Sequence, residues 1–427
     1  MSVHVQRVGV GGANVDVRRL WSLGWRALLV VAILAAVPLS TVPLLNKFHV
    51  VAMYDFRGGL YNAGTAILHG LNPYHAGFLA HQAAIMRAGG VAIGETTFRT
   101  FSLPVYPAPA NLAVIPLSLL PFWAAGAIYG ILSVAAIVLA LWWLEVRDWR
   151  CYALTLLSWP FIFGLLIGAL GPFLVLGAAA AWHWRTRLWP PAIAIASIVV
   201  AKIFPWPIAV WLLVTRRYRA FALAVVIAAT VTLAAWAVIG FSGMLEYPQM
   251  LANVSFIQEL RATSVVAILI ALGLSPFAAT AFAMAAGLGM LAAAWRATRR
   301  PGGERTALGL AIIATLTAAP IVWDHYLVLL LIPIALRSPR LSGLWFLPLT
   351  GPMLVTASSL VVPFSNKVHA TRPETLRAIV WVTIEAIVTI SLYMSAADVA
   401  GLRRRVARRL RGAAGVGRNR ALEHPVG

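Results

Sequence analysis

The chain has 427 residues, of which 61% are hydrophobic and 11% charged, whereas a soluble protein is nearer half apolar and a quarter charged. That balance excludes an ordinary soluble domain, and repeated apolar runs of about 18 residues or more predict an all-α polytopic membrane protein. The net charge of +21 does not point to nucleic acid, because no basic stretch is interleaved with base-stacking aromatics. A single cysteine, Cys151, excludes an intrachain disulfide and a cysteine metal cluster.

Residues 1–14 lack the apolar core of a cleavable signal peptide, and the first apolar run, about 27–46, is long enough to remain as a helix. Beyond it, basic residues fall on alternate loops: Arg18, Arg19 and Arg26, then Arg147 and Arg150, Arg185 and Arg187, Arg216, Arg217 and Arg219, Arg296 to Arg305, Arg337 and Arg340, and the tail. If basic loops are cytoplasmic, the chain must leave and return between each pair. That gives about twelve spans with both termini inside: 27–46, 122–144, 151–168, 171–184, 189–204, 205–215, 220–241, 276–295, 306–322, 326–336, 341–362 and 375–396. Several are too short to cross a core of about 30 Å. Stretches 189–215 and 306–336 are also broken by proline or polar residues, the mark of backbone lining a cavity. We expect one transmembrane domain over 1–400, with a long first outer loop at 47–121 and a second at 242–275. A basic tail follows at 401–427, lying on the lipid surface or disordered.

Outer loop 47–121 opens with Met53-Tyr54-Asp55-Phe56-Arg57-Gly58-Gly59-Leu60-Tyr61. It carries amphipathic patches at 60–68 and 78–86, and a short apolar piece at 109–120 reads as interfacial or re-entrant. Loop 242–275 carries Asn253, Ser255 and Gln258, followed by a short apolar piece at 265–274.

Acids are scarce, and those expected outside are Asp55, Glu95, Glu246, Glu259, Asp324 and Glu374. Asp55 follows the first span among aromatics (Tyr54, Phe56, Tyr61, Tyr74) suited to a sugar or lipid head. A carboxylate against an apolar surface acquires a basicity useful for proton abstraction; the plainer reading is a solvated helix cap. Trp323-Asp324-His325-Tyr326 ends a short span, where His and Asp suit a phosphate or a sugar hydroxyl; the plainer reading is an aromatic-belt turn. A metal site is not expected, since His325 has no second histidine at helical spacing. Lys202, in a proline-broken hairpin, is a point charge for a lipid phosphate or a snorkelling lysine. Arg57, Arg99 and Arg261 are further outer cations. Glu385, inside the last span, reads as an interhelical hydrogen-bonding group.

Taken in order, Asp55, the Tyr61…Gly70-Leu71-Asn72-Pro73-Tyr74 run, Tyr106-Pro107-Ala108-Pro109, Lys202-Ile203-Phe204-Pro205, Asn253-Val254-Ser255 and Pro320 to Tyr326 make the chain resemble glycosyltransferase family 87 of the GT-C superfold. These are polyprenol-phosphate-dependent mannosyltransferases of the actinobacterial cell envelope. The similarity spans roughly residues 27–400. Departures are Tyr-Pro-Ala-Pro where the family tends to Tyr-Pro-Pro, and Asn-Val-Ser in place of Asn-Gln-Ser.

The resemblance implies an extracytoplasmic active site in the plasma membrane and a polyprenyl-phosphate sugar donor, most often mannose, with arabinofuranose as the alternative. An envelope glycolipid or lipoglycan is the expected acceptor, since both substrates must reach one membrane surface. No cofactor is expected, since side-chain cations alone can meet a monophosphate leaving group. The resemblance carries a single aspartate base onto Asp55 and donor contacts onto His325 and Lys202, with Asp324 and Arg57 beside them. Tyr61, Asn253 and Trp323 are the expected acceptor or sugar contacts. The competing class is a twelve-span transporter or lipid flippase, which should show matched halves and midplane charges. A purely structural membrane scaffold would leave Asp55 and His325 unexplained.

Overall fold

The computed structural model describes residues 53–75, 105–258, 262–349 and 372–393. Among them every regular element is helical and there is no strand. Helix α1 runs through Tyr54–Phe56, a π-helical turn at Arg57–Tyr61 and Asn62–Leu68. Then come α2 (Ala108–Ser118), α3 (Phe122–Trp143), α4 (Trp149–Leu156), α5 (Trp159–Ile167), α6 (Gly171–His183), α7 (Trp189–Ala201) and α8 (Pro207–Val214). Next are α9 (Tyr218–Ile239), α10 (Ser242–Gln258), α11 (Val265–Ala271), α12 (Pro276–Ala297) and α13 (Gly303–Ala318). A 3-10 turn at Asp324–Leu330 runs into α14 (Leu331–Arg337). Another at Gly343–Leu349 precedes α15 (Arg372–Tyr393).

Proline marks the first turns: α2, α5, α6, α7, α8 and α12 each carry one at the first or second helical position. There its missing N–H costs nothing and its fixed φ suits the helix. Asp148, Ser264 and Ser275 cap α4, α11 and α12 by accepting from Arg150 N, Ala267 N and Ala278 N. These caps separate elements that an apolar composition alone would let run together.

Helices α3, α9, α12 and the 375–393 part of α15 are each long and apolar enough to cross a membrane, and α4 with α5, bent by 52°, forms a fifth such unit. The protein is therefore a membrane protein. The remaining expected crossings correspond to shorter helices, including α6, α7, α8 and α13. The breaks expected in 189–215 and 306–336 fall at Lys202–Trp206 and at 319–330. Expected span 27–46, most of 341–362 and the tail at 401–427 lie outside the described residues. Loop 242–275 is largely helical, folding as α10 and α11. Helix α13 is the centre of the bundle: from Ala307 to Ala318 every residue is buried. A helix apolar on all sides suits a bundle core or a membrane span, and the burial of α13 puts it in the core.

Several of the described arginine-bearing loops are bonded to one another or to a helix end. Glu304 at the start of α13 pairs with Arg217 at 2.9 Å and with Arg185 at 3.9 Å, and Arg217 Nε donates to the Arg185 carbonyl at 2.7 Å. Asp148 binds Arg150 and accepts from Leu341 N, while Arg337 Nε donates to Ser391 O at the end of α15. Loops expected on the same side are thus bonded to each other. The far ends of α5, α7 and α13 meet at the opposite face, where the candidate site lies.

Candidate active site

Asp55 sits in the first turn of α1, where a carboxylate meets the positive end of the helix dipole. That turn is anchored from outside: Met53 N donates to Leu166 O at 2.7 Å, tying α1 to the end of α5. The anchor works because residue 168 is glycine. Gly168 has φ +71°, and a Cβ there would lie 2.5 Å from Phe56 Cβ and 2.9 Å from Met53 Sδ. Phe56 is fully buried and packs on Tyr129 of α3 at 4.4 Å, so the residue beside Asp55 is fixed on both flanks.

The half-buried Asp55 carboxylate accepts from Tyr106, whose hydroxyl donates to Oδ2 at 2.6 Å. Tyr106 is held by a polar chain. Asn111 Nδ2 donates to Tyr74 Oη at 2.6 Å, and Tyr74 Oη donates to the Tyr106 carbonyl at 2.6 Å. The Asn72 side chain in turn accepts from Tyr74 N and donates to Gly240 O. The Leu71-Asn72-Pro73-Tyr74 run is therefore a strut between the α9–α10 corner and the base of Tyr106.

Lys202 follows the last turn of α7 and enters the same chamber. Its Nζ lies 4.0 Å from the Tyr326 ring centroid, 4.8 Å from that of Tyr106 and 5.9 Å from that of Phe204. Cation–π contacts of this kind hold an ammonium without neutralising it. Burial pushes the Asp55 carboxyl above the usual carboxylate range, while the Lys202 charge and the Tyr106 hydrogen bond pull the other way. A base with a raised pKa is protonated, and silent, below that value. Activity should therefore fall as pH drops through a point above the ordinary aspartate value of about 4. A profile of kcat/KM between pH 4 and 8 checks this; an acid limb at or below the ordinary value would contradict it.

His325 is buried beside Tyr326 and Phe163, with ring centroids at 4.4 Å and 6.0 Å. Neither of its ring nitrogens has a hydrogen-bond partner among the described residues. Asp324, also buried, accepts from Trp159 Nε1 at 2.9 Å and pairs with Arg377 of α15 at 3.6 Å. Trp323 is half-buried, and the turn carrying it is pinned by Thr263 Oγ1 to Val322 O at 2.7 Å and by Ser264 Oγ to Pro320 O at 2.9 Å. Arg57 and Tyr61, one helical turn apart, share Phe122: the guanidinium sits 4.1 Å from its centroid and the Tyr61 ring 5.3 Å away, edge-on. The Tyr61 hydroxyl donates to Leu120 O at 2.8 Å. Asn253 lies in α10, and its side chain, like Arg99 and Arg261, is outside the described residues. Among the described residues no three of His, Cys, Asp and Glu converge.

Asp55, Lys202 and the His325 turn thus meet around Tyr106 and Tyr326, contributed by α1, the α7 break and the segment after α13. A carboxylate and an ammonium across one aromatic wall suit a reaction in which a proton leaves one substrate and negative charge appears on another. The model of glycosyltransferase family 87 matches residues 105–322, just over half of the chain. The chain belongs to glycosyltransferase family 87. The family-87 match contains Tyr106 and Lys202 and runs between Asp55 on one side and His325 on the other. Membership decides for a membrane glycosyltransferase over the transporter class. No curated protein and no solved structure matches the chain.

Tyr106, Tyr326, Trp159, Arg377 and Gly168 are site residues that the sequence does not mark as such. For Tyr106 the sequence does hold a signal, the Tyr106-Pro107-Ala108-Pro109 element of the family resemblance, but nothing in it points to a bond with Asp55. Arg377 and Gly168 act through partners far away in sequence, and no local pattern announces such pairs.

Proposed function

We propose that this family-87 enzyme moves a sugar, mannose, from a polyprenyl-phosphate donor to a hydroxyl of an envelope glycolipid or lipoglycan, with inversion, at the extracytoplasmic face of the plasma membrane. The observation that carries the reading is the pairing of Asp55 with Lys202 around Tyr106. Asp55 takes the proton of the acceptor hydroxyl as that oxygen attacks the anomeric carbon. The bond from that carbon to the phosphate oxygen breaks, and the electron pair leaves with the polyprenyl phosphate. Lys202 meets the charge that develops there, and His325, whose ring nitrogens have no protein partner among the described residues, supplies a further contact. Preplaced cations in a partly dry site stabilise such charge without reorganising.

Arg57, over the face of Phe122, is assigned as the next cation along the donor path. Tyr61, Trp323 and Asn253 are assigned to the acceptor or sugar. Asp324, engaged by Trp159 and Arg377, orients the turn that bears His325 rather than touching the donor.

Lys202→Ala and His325→Ala should each raise the KM for donor about 10- to 100-fold, the cost of one lost charge-assisted hydrogen bond. Initial rates across polyprenyl-phosphate-mannose concentrations test this. If both variants track the wild type at every concentration, their assignment to the lipid phosphate is wrong.

A further inference from the structure

Tyr106 touches both reactive partners with different parts of one side chain. Its hydroxyl donates to Asp55 Oδ2 at 2.6 Å, and its ring lies under Lys202 at 4.8 Å. We infer that Tyr106 is the positioning residue of the site, fixing the base through its hydroxyl and the cation through its ring, so that the two act at a set separation. The inference rests on the proposed roles of Asp55 and Lys202.

The side chain is built to hold that position. Tyr106 is fully buried, and its carbonyl accepts from Tyr74, while the neighbouring Val105 carbonyl accepts from Tyr247 at 3.0 Å. On the α1 side the ring lies against Gly59, where a Cβ would come within 2.9 Å of Tyr106 Cδ2 and Cε2. A larger residue at 59 must shift the ring from the position in which it bonds Asp55. With Oδ2 engaged by the phenol, Oδ1 is the oxygen left to receive the acceptor proton. Other groups facing Asp55 are Tyr54 beside it, Tyr129 from α3, Tyr326 from the turn after α13, and Lys202. A phenol that donates to a carboxylate favours its ionised form, so removing that donor should raise the pH at which Asp55 loses its proton.

The test compares wild type, Tyr106→Phe, Tyr106→Leu and Asp55→Asn in nanodiscs by two readouts. The first is an infrared pH titration of the protonated-carboxyl band, assigned to Asp55 by its loss in Asp55→Asn. Tyr106→Phe should move the midpoint up by about one to two pH units. The second is transfer from polyprenyl-phosphate-mannose. Tyr106→Phe should lower kcat at pH 7 at least about tenfold with donor KM unchanged, because the ring remains. Tyr106→Leu should also raise donor KM about tenfold, the loss of one partly desolvated cation–π contact. Should Tyr106→Leu fail to fold, Gly59→Ala displaces the ring instead and should move the infrared midpoint in the same direction. An unmoved midpoint in Tyr106→Phe, or an equal rise in donor KM for Phe and Leu, overturns the inference. Asp55→Asn with wild-type transfer would instead overturn the base assignment, leaving the infrared result to report on the Tyr106–Asp55 bond alone.

Discussion

Asp55→Asn is expected to insert and fold like the wild type while losing transfer by a factor of about 10² to 10⁴, the usual contribution of a positioned general base. The amide keeps the size of the carboxylate and can still accept from Tyr106, so the first turn of α1 keeps its anchor on Leu166. What is lost is the capacity to take a proton. Unfolding temperature and elution profile should match the wild type, which separates loss of chemistry from loss of structure. Retained transfer above a tenth of wild type would remove Asp55 from the mechanism.

The second large effect concerns a residue that touches no substrate. Gly168→Ala combines two penalties. A left-handed backbone costs a non-glycine residue about 1–2 kcal/mol, and the new Cβ would stand 2.5 Å from Phe56 Cβ. That contact can be relieved only by moving α1, which carries Asp55 one residue from Phe56. Displacements of about 1 Å at a reacting group cost about 10² in rate. We therefore expect transfer to fall about a hundredfold with a modest loss of thermal stability. Gly302→Ala is the matched control: φ is again +71°, but a Cβ there meets nothing within 4 Å. It should show the backbone penalty without the loss of transfer. Equal activity losses in the two variants would mean that strain, not displacement of Asp55, explains the effect.

These two residues differ in how visible they are in the sequence. Asp55 stands out because acids are rare and because it follows an apolar run directly. Gly168 looks like any helix-ending glycine, and its reason for being glycine is Phe56, which only the tertiary structure brings beside it. The same division runs through the fold. The alternation of arginines predicts which loops share a face, and Glu304 joins the loops of Arg185 and Arg217 while Asp148 reaches Leu341. Prolines at first turns foretell where α5 to α8 begin.

Other features depend on packing. The π-helical turn at Arg57–Tyr61 shifts the register of α1, and hydrophobic spacing does not reveal it. Segment 242–258 reads as a loop because its mixture of polar residues and Pro248 obscures the helix. Lys202 and His325 are recognisable as unusual polar groups near helix breaks, but the ring of Tyr326 that both face, and that of Tyr106 beside Lys202, are tertiary facts. Asp324 looks equally available in the sequence, and only the fold shows that Trp159 and Arg377 engage it.

The measurement that tests the central claim most directly uses purified protein in nanodiscs with radiolabelled polyprenyl-phosphate-mannose and a crude envelope glycolipid extract. Wild type and Asp55→Asn are compared with and without EDTA. The account predicts label in the glycolipid fraction with wild type, unchanged by EDTA, and none above background with Asp55→Asn. Equal labelling by the two proteins, or label transferred only when a nucleotide-sugar replaces the lipid-linked donor, would contradict it.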